Sequence, residues 1–236
     1  MGGLVMSKKH FVSLAIIFIL GCMIMIFASV AKKHRTKIEW NGTTYSIENV
    51  NSVDAKFARP YNKVLDKLGD GFVVLSFFVA CLLILISFVS AKDKSYAFKS
   101  AFFDSYTFCV CIFYANGIYR ILKTLAGRIR PYMYFVNPSE KGIAKGDFYR
   151  SWPSGHSANV FIAFGFMLAW FSLRKADSKL KKPVLSVSFL ICIITMIFRM
   201  LSGNHFLTDV LSGAAIGFAI SYSMAVFCNS IYKKAN

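Results

Sequence analysis

Six apolar runs, each long enough to cross the hydrocarbon core of a bilayer, recur along this chain at residues 11–31, 71–90, 101–122, 157–173, 184–201 and 207–229. Spanning about 30 Å of hydrocarbon takes about 20 residues of helix, and a helix satisfies its backbone polar groups within its own segment. The runs use most of the 236 residues, and 56% of all residues are hydrophobic. The expected fold class is therefore all-α: a polytopic membrane protein of six transmembrane helices, one domain over residues 1–236, with no separate soluble domain. The first run also imitates a secretory signal, with Lys8 and Lys9 before it and Ser29-Val30-Ala31 at its end. Its apolar length exceeds the roughly 7–15 residues of such a signal, so a retained first helix is expected.

The formal net charge of +17 sits in the connections between the apolar runs. Anionic lipid head groups are the expected counterpart, and no nucleic acid is implied. Lys8 and Lys9, then Lys92, Lys94 and Lys99, then Arg174 to Lys182, then Lys233 and Lys234 fall on one side if the spans alternate. By the positive-inside rule that side is cytoplasmic and holds both termini. The six cysteines lie within or at the ends of apolar runs, which implies no disulfide framework. The oligomeric state is left open by the sequence.

A polar outer connection over residues 32–70 carries two local signals. Asn41-Gly42 between β-rich flanks predicts a hairpin around residues 37–47. Val53, Phe57, Tyr61, Val64, Leu65 and Leu68 recur at helical spacing, which predicts an amphipathic surface helix over 53–68, shortened, kinked or broken by Pro60. Asn41-Gly42-Thr43 also fits a glycosylation sequon, although its role as a turn accounts for it.

Three further stretches hold the chemistry: Lys123-x6-Arg130-Pro131, Pro153-Ser154-Gly155-His156 and Arg199-x5-His205-x3-Asp209. Alternating spans put all three on the outer face. Cleaving a phosphate ester requires cations on the non-bridging oxygens, an in-line nucleophile and a proton for the leaving oxygen. Lys123 offers a point charge, and Arg130 and Arg199 offer planar forks suited to bidentate phosphate contact. Gly155 lets backbone N–H groups approach an anion at an expected helix start, where the Ser154 hydroxyl adds a donor. If a helix begins near His205, that residue shares one face with Asp209, and the carboxylate can fix the imidazole tautomer and leave the other nitrogen to attack phosphorus. His156 remains as the acid for the departing alkoxide. No cluster of carboxylates stands ready for Mg²⁺ or Zn²⁺, so no metal and no cofactor are expected.

In order and spacing these stretches resemble the motifs of the type 2 phosphatidic acid phosphatase superfamily, integral-membrane lipid phosphatases related to the vanadium haloperoxidases. The family pattern is Lys-x6-Arg-Pro, Pro-Ser-Gly-His and Ser-Arg-x5-His-x3-Asp. The resemblance implies His205 as nucleophile, Asp209 as its orienter and His156 as general acid, with Lys123, Arg130, Ser154, Gly155 and Arg199 binding phosphate. One position departs: Phe198 stands where the family has serine, a secondary phosphate contact.

The expected function is hydrolysis of a head-group phosphate on a membrane lipid through a phosphohistidine, at the outer face of a bacterial inner membrane. The substrate is an anionic phosphorylated lipid. The cations of the outer connections, among them Lys32, Lys33, Arg35, Lys145 and Arg150, suit a bulky, multiply charged head group. The stretch His205-Phe206-Leu207-Thr208-Asp209 is similar to the corresponding stretch of lipid A phosphatases, which favours lipid A. Undecaprenyl diphosphate, phosphatidylglycerol phosphate and phosphatidic acid are alternatives. So are a lipid phosphotransferase built on the same residues and a non-catalytic lipid-binding or transport protein. Other basic residues near helix ends, Arg120, Arg128 and Lys141, read as interfacial anchors.

Overall fold

The computed structural model describes residues 8–35, 38–174 and 179–235. Eight α-helices follow one another: α1 (Lys8–His34), α2 (Ser52–Phe57), α3 (Lys63–Ser90), α4 (Lys94–Ala126), α5 (Glu140–Ala144), α6 (Gly155–Leu173), α7 (Lys181–Leu201) and α8 (Leu207–Ala235). Helices α1, α3, α4, α6, α7 and α8 are long and apolar enough to cross a membrane. No β-strand occurs among the described residues. The expected all-α architecture with six candidate spans is thus present, and most helices run several residues beyond the apolar runs.

Local chemistry sets the helix ends. Asn62 Oδ1 accepts from the backbone N–H of Val64 (3.0 Å) and Leu65 (3.1 Å) to start α3, and Asp93 Oδ1 accepts from Tyr96 N (3.0 Å) to start α4. Gly127, with φ of 64°, closes α4 in the left-handed region. Helices α6 and α8 pack backbone to backbone. A Cβ on Gly213 would collide with the Ser154 carbonyl, and one on Gly217 with the Ala158 carbonyl. Without a hydrophobic force between helices in lipid, such small-residue seams allow the close contact that holds a pair together. The seam brings the N-terminal ends of α6 and α8 side by side, and Ser154 N donates to Asp209 O (2.9 Å).

Phe108, Ile162, Phe166 and Met167 fill the centre of the bundle, while Phe11, Met23, Val74, Phe78 and Phe102 point outward. That outward apolar surface is what a lipid-facing wall requires.

The connection between α1 and α3 differs from its expected form. The hairpin is absent: within the described part of that stretch, Asn41 Oδ1 accepts from Thr43 N (3.1 Å) and from Thr43 Oγ1 (2.8 Å), a local turn with no strand on either side. Tyr45 N instead donates to Met133 O (3.1 Å), so the segment pairs with a distant loop and not with itself. Residues 36 and 37 lie outside the described residues.

The amphipathic helix expected over 53–68 is broken at Pro60, one of the forms expected for it. Helix α2 ends at Phe57, residues 58–62 are non-helical around Pro60, and α3 begins at Lys63. Helix α2 does not bury its apolar face: Val53 and Phe57 are exposed while Asp54 is fully buried. Gly203, with φ of 70°, lets the turn between α7 and α8 tuck beneath Arg59 and Pro60, where any Cβ would strike their carbonyls.

Candidate active site

The three motif stretches meet at one end of the bundle, where α4 and α7 finish and α6 and α8 begin. His205 and Asp209 are almost wholly buried there, 1% and 0% exposed. The N–H of His205 donates to Arg199 O (3.1 Å), which pins the short turn between α7 and α8. His205 Nδ1 lies 3.6 Å from Asp209 Oδ2, beyond hydrogen-bond length, and has no hydrogen-bond partner. The carboxylate is engaged elsewhere. Its Oδ2 accepts from Ser151 Oγ (2.5 Å) and Phe206 N (2.9 Å), and its Oδ1 accepts from Arg128 Nη1 (2.6 Å). Dyads of this kind often tighten only in the substrate complex.

Burial, and then the positive charges of Lys123, Arg130 and Arg199, hold the His205 imidazole well below its usual pKa. The ring is therefore neutral, the form that can attack phosphorus. The three cations are themselves anchored. Lys123 Nζ donates to the carbonyls of Arg150 (3.0 Å) and Ser151 (3.4 Å). Arg130 donates through Nε to Asp147 O (2.8 Å) and through Nη1 to Asn204 Oδ1 (2.6 Å). Arg199 is 2% exposed, donates through Nη1 to Asp66 Oδ1 (2.5 Å), and keeps an Nε without a partner.

Ser154 caps α6 and is spent on structure as well as display, since its Oγ accepts from Ser157 N (3.4 Å) and Ser157 Oγ (3.1 Å). A side chain on Gly155 would press on the Tyr119 ring at 3.1 Å, so glycine lets the start of α6 sit against α4. His156 Nε2 lies 2.6 Å from Asp70 Oδ1, and both side chains reach the surface in part. Phe198 turns its ring toward Phe72 of α3 in an edge-on contact (5.4 Å), so this position serves packing between helices.

Several site residues escaped the sequence reading. Arg128, expected to anchor at the interface, bridges two carboxylates: Nη1 contacts Asp209, and Nη2 lies 2.7 Å from Asp54 Oδ2. Its guanidinium also lies 4.4 Å from the Phe206 ring centroid. Asp54 accepts in addition from Thr208 N (3.0 Å) and Thr208 Oγ1 (2.6 Å) at the start of α8. Burial raises the Asp54 carboxyl, yet its bonds from Arg128 and Thr208 outweigh that and hold it below the usual range. Asp66 and Asp70 lie one turn apart on α3, in a stretch assigned from sequence to the polar connection. Of these four, Asp70 alone abuts an apolar run, where an ionisable residue rarely stands without a partner; Arg128, Asp54 and Asp66 lay in polar connections that gave no such signal.

The PAP2 superfamily model matches residues 105–233. Phosphatidylglycerophosphatase B of Bacillus subtilis (strain 168) is 34% identical over 115 residues, 48% of this chain and 52% of that protein. Lipid A 1-phosphatase of Rhizobium etli is 29% identical over 155 residues, 62% of this chain and 60% of that protein. The matches thus span between about half and three fifths of these curated relatives. The crystal structure of a transmembrane PAP2-type phosphatidylglycerolphosphate phosphatase from Bacillus subtilis shares the fold, with a TM-score of 0.50 at 20% identity, covering 89% of this chain and 96% of that one.

Proposed function

The chain belongs to the PAP2 superfamily, and from that premise we propose that it hydrolyses a head-group phosphate of a membrane lipid through a phosphohistidine, without a metal, with a lipid A phosphate as the favoured substrate. The observation that carries the reading is the buried His205 beside Asp209, set among Lys123, Arg130 and Arg199.

In this reaction the substrate phosphate lies between the three cations, with the N–H groups at the start of α6 adding donors. Asp209 stands on the Nδ1 side of His205, which leaves Nε2 to form the N–P bond as the ester P–O bond breaks. His156 gives its proton to the leaving oxygen. Water then attacks the phosphohistidine, His156 takes a proton from that water, and inorganic phosphate leaves with His205 neutral again. Among the described residues no three His, Cys, Asp or Glu side chains gather as a metal-binding set.

Two relatives named as lipid A 1-phosphatases support the substrate class. A second reading, phosphatidylglycerol phosphate as substrate, draws on the Bacillus subtilis relative. The basic loops between spans support a bacterial inner-membrane location with cytoplasmic termini and the site on the outer face. The test is phosphate release by purified protein in detergent with EDTA, from lipid A, undecaprenyl diphosphate and phosphatidylglycerol phosphate in parallel. Release from one lipid that disappears in His205→Ala supports the reading. Release that needs an added divalent cation overturns the metal-free route, and phosphate appearing on an acceptor lipid makes the protein a phosphotransferase.

A further inference from the structure

Beside the dyad, a groove of about 730 Å³ opens between the C-terminal end of α1 and the segment that follows α5. Its walls carry Lys32, Lys33, Arg35, Lys145 and Arg150 against the carboxylate of Glu39. The size lies within the range of small-molecule sites.

The two arginines are under-compensated. Arg150 has a side chain only 8% exposed, an Nε with no partner, and one carboxylate contact, Asp147 at 3.4 Å. The same Asp147 oxygen is also approached by Lys32 at 4.0 Å. Arg35 stacks on the Tyr149 ring at 4.7 Å and leaves its Nη1 buried without a partner. Buried cations short of anions are costly unless a ligand completes them.

The groove and the dyad also share a wall. The Arg150 carbonyl accepts from Lys123 Nζ, and the next residue, Ser151, donates to Asp209. Residue 150 thus gives its side chain to the groove and its carbonyl to the lysine of the first motif.

We propose that this groove binds a second phosphate on the same lipid head group, so that the enzyme selects sugar lipids phosphorylated at two positions. The proposal rests on the phosphatase reading above and deepens it. The occupant is the substrate itself, because the groove adjoins the dyad and its open side is lined by the exposed Lys32, Lys33 and Lys145.

The experiment compares bisphosphorylated lipid A with phosphatidic acid, which has one phosphate, in wild type and in the double variant Lys33→Ala/Lys145→Ala. The ratio of kcat/KM for the two lipids should fall about tenfold in the variant, through KM for lipid A. Binding of both lipids in a His205→Ala background should show the same fall in ratio, and that readout does not depend on turnover. An unchanged binding ratio overturns the groove proposal. If phosphatidic acid turnover is stimulated by added phosphatidylglycerol in wild type but not in the variant, the groove holds a separate lipid and the proposal fails. Absence of phosphate release from every lipid, with the binding ratio still falling, overturns the phosphatase reading and leaves the groove in place.

Discussion

Arg128 Nη1 lies 2.6 Å from Asp209 Oδ1, and the same guanidinium reaches Asp54 on α2 at 2.7 Å. One side chain thus ties the short helix between α1 and α3 to the carboxylate beside His205. Asp209 is fully buried, so its charge needs this partner. Replacing Arg128 by Ala should lower stability by about 3 kcal/mol, at the low end for breaking a buried pair because a quarter of the arginine side chain is exposed. Lipid phosphate release should fall about a hundredfold. Lys at this position should recover only part of either, since a single ammonium cannot span both carboxylates. A thermal melt in detergent together with a turnover assay checks both; full activity in the alanine variant would remove the bridge from the mechanism.

Asp70 holds the His156 ring at 2.6 Å from α3. If His156 supplies the proton to the leaving oxygen, that carboxylate positions it. Asp70→Asn should slow release from an alkyl phosphate lipid about tenfold, yet slow release from an aryl phosphate less than about twofold, because a good leaving group needs little acid help. An equal loss on both substrates would reduce Asp70 to a structural role.

Arg199 offers a partnerless Nε and is held by Asp66 through Nη1. Lysine preserves charge but loses the planar fork, so Arg199→Lys should cost about a hundredfold in kcat/KM. Activity within about threefold of wild type would show that a point charge suffices.

His205 is held below its ordinary pKa by burial and by the cations beside it. Protonation, which would block attack, is therefore displaced to lower pH. The acid limb of kcat/KM, corrected for ionisation of the substrate phosphate, should lie below the unperturbed imidazole value of about 6.5. A limb at or above about 6.5 would mean that His205 is not the attacking group or is not so enclosed.

The seam between α6 and α8 makes a packing prediction. A Cβ on Gly213 meets the Ser154 carbonyl, whereas one on Gly71 meets nothing within 4 Å. Gly213→Ala should destabilise by about 1–3 kcal/mol and impair turnover by shifting His156 relative to His205. Gly71→Ala, in the interior of α3, should be neutral or stabilising by up to about 1 kcal/mol. Thermal melts of the two variants side by side test the contrast.

Much of this protein was legible along the chain. Apolar run length alone determined six candidate spans, because a bilayer demands a fixed helix length and internally satisfied backbone. Motif spacing named Lys123, Arg130, Ser154, Gly155, His156, Arg199, His205 and Asp209 as candidates, and the fold gathers their stretches at one end of the bundle. The connection at 32–70 was read less well. Asn41-Gly42 signals a hairpin only if its flanks pair with each other, and Tyr45 pairs with Met133 instead. Helical periodicity through Pro60 suggested one surface helix, while Asp54 turned inward because Arg128 and Thr208 offered it bonds that water could not better inside the fold.

What tertiary structure alone decided is which charge meets which. Arg128 and Asp54 are 74 residues apart, Asp66 and Arg199 133, and Asp70 and His156 86. No periodicity reaches across such distances. The pairings follow from helix ends being brought together at one end of the bundle by close-packed seams such as that of Gly213 and Gly217, which sets Arg128 against Asp54 and Asp209 and Arg199 against Asp66. Sequence determined the candidate spans and the candidate site residues because both are local properties of length and spacing; the fold decided their electrostatic partners because burial, and with it the need for a partner, exists only once the chain has packed.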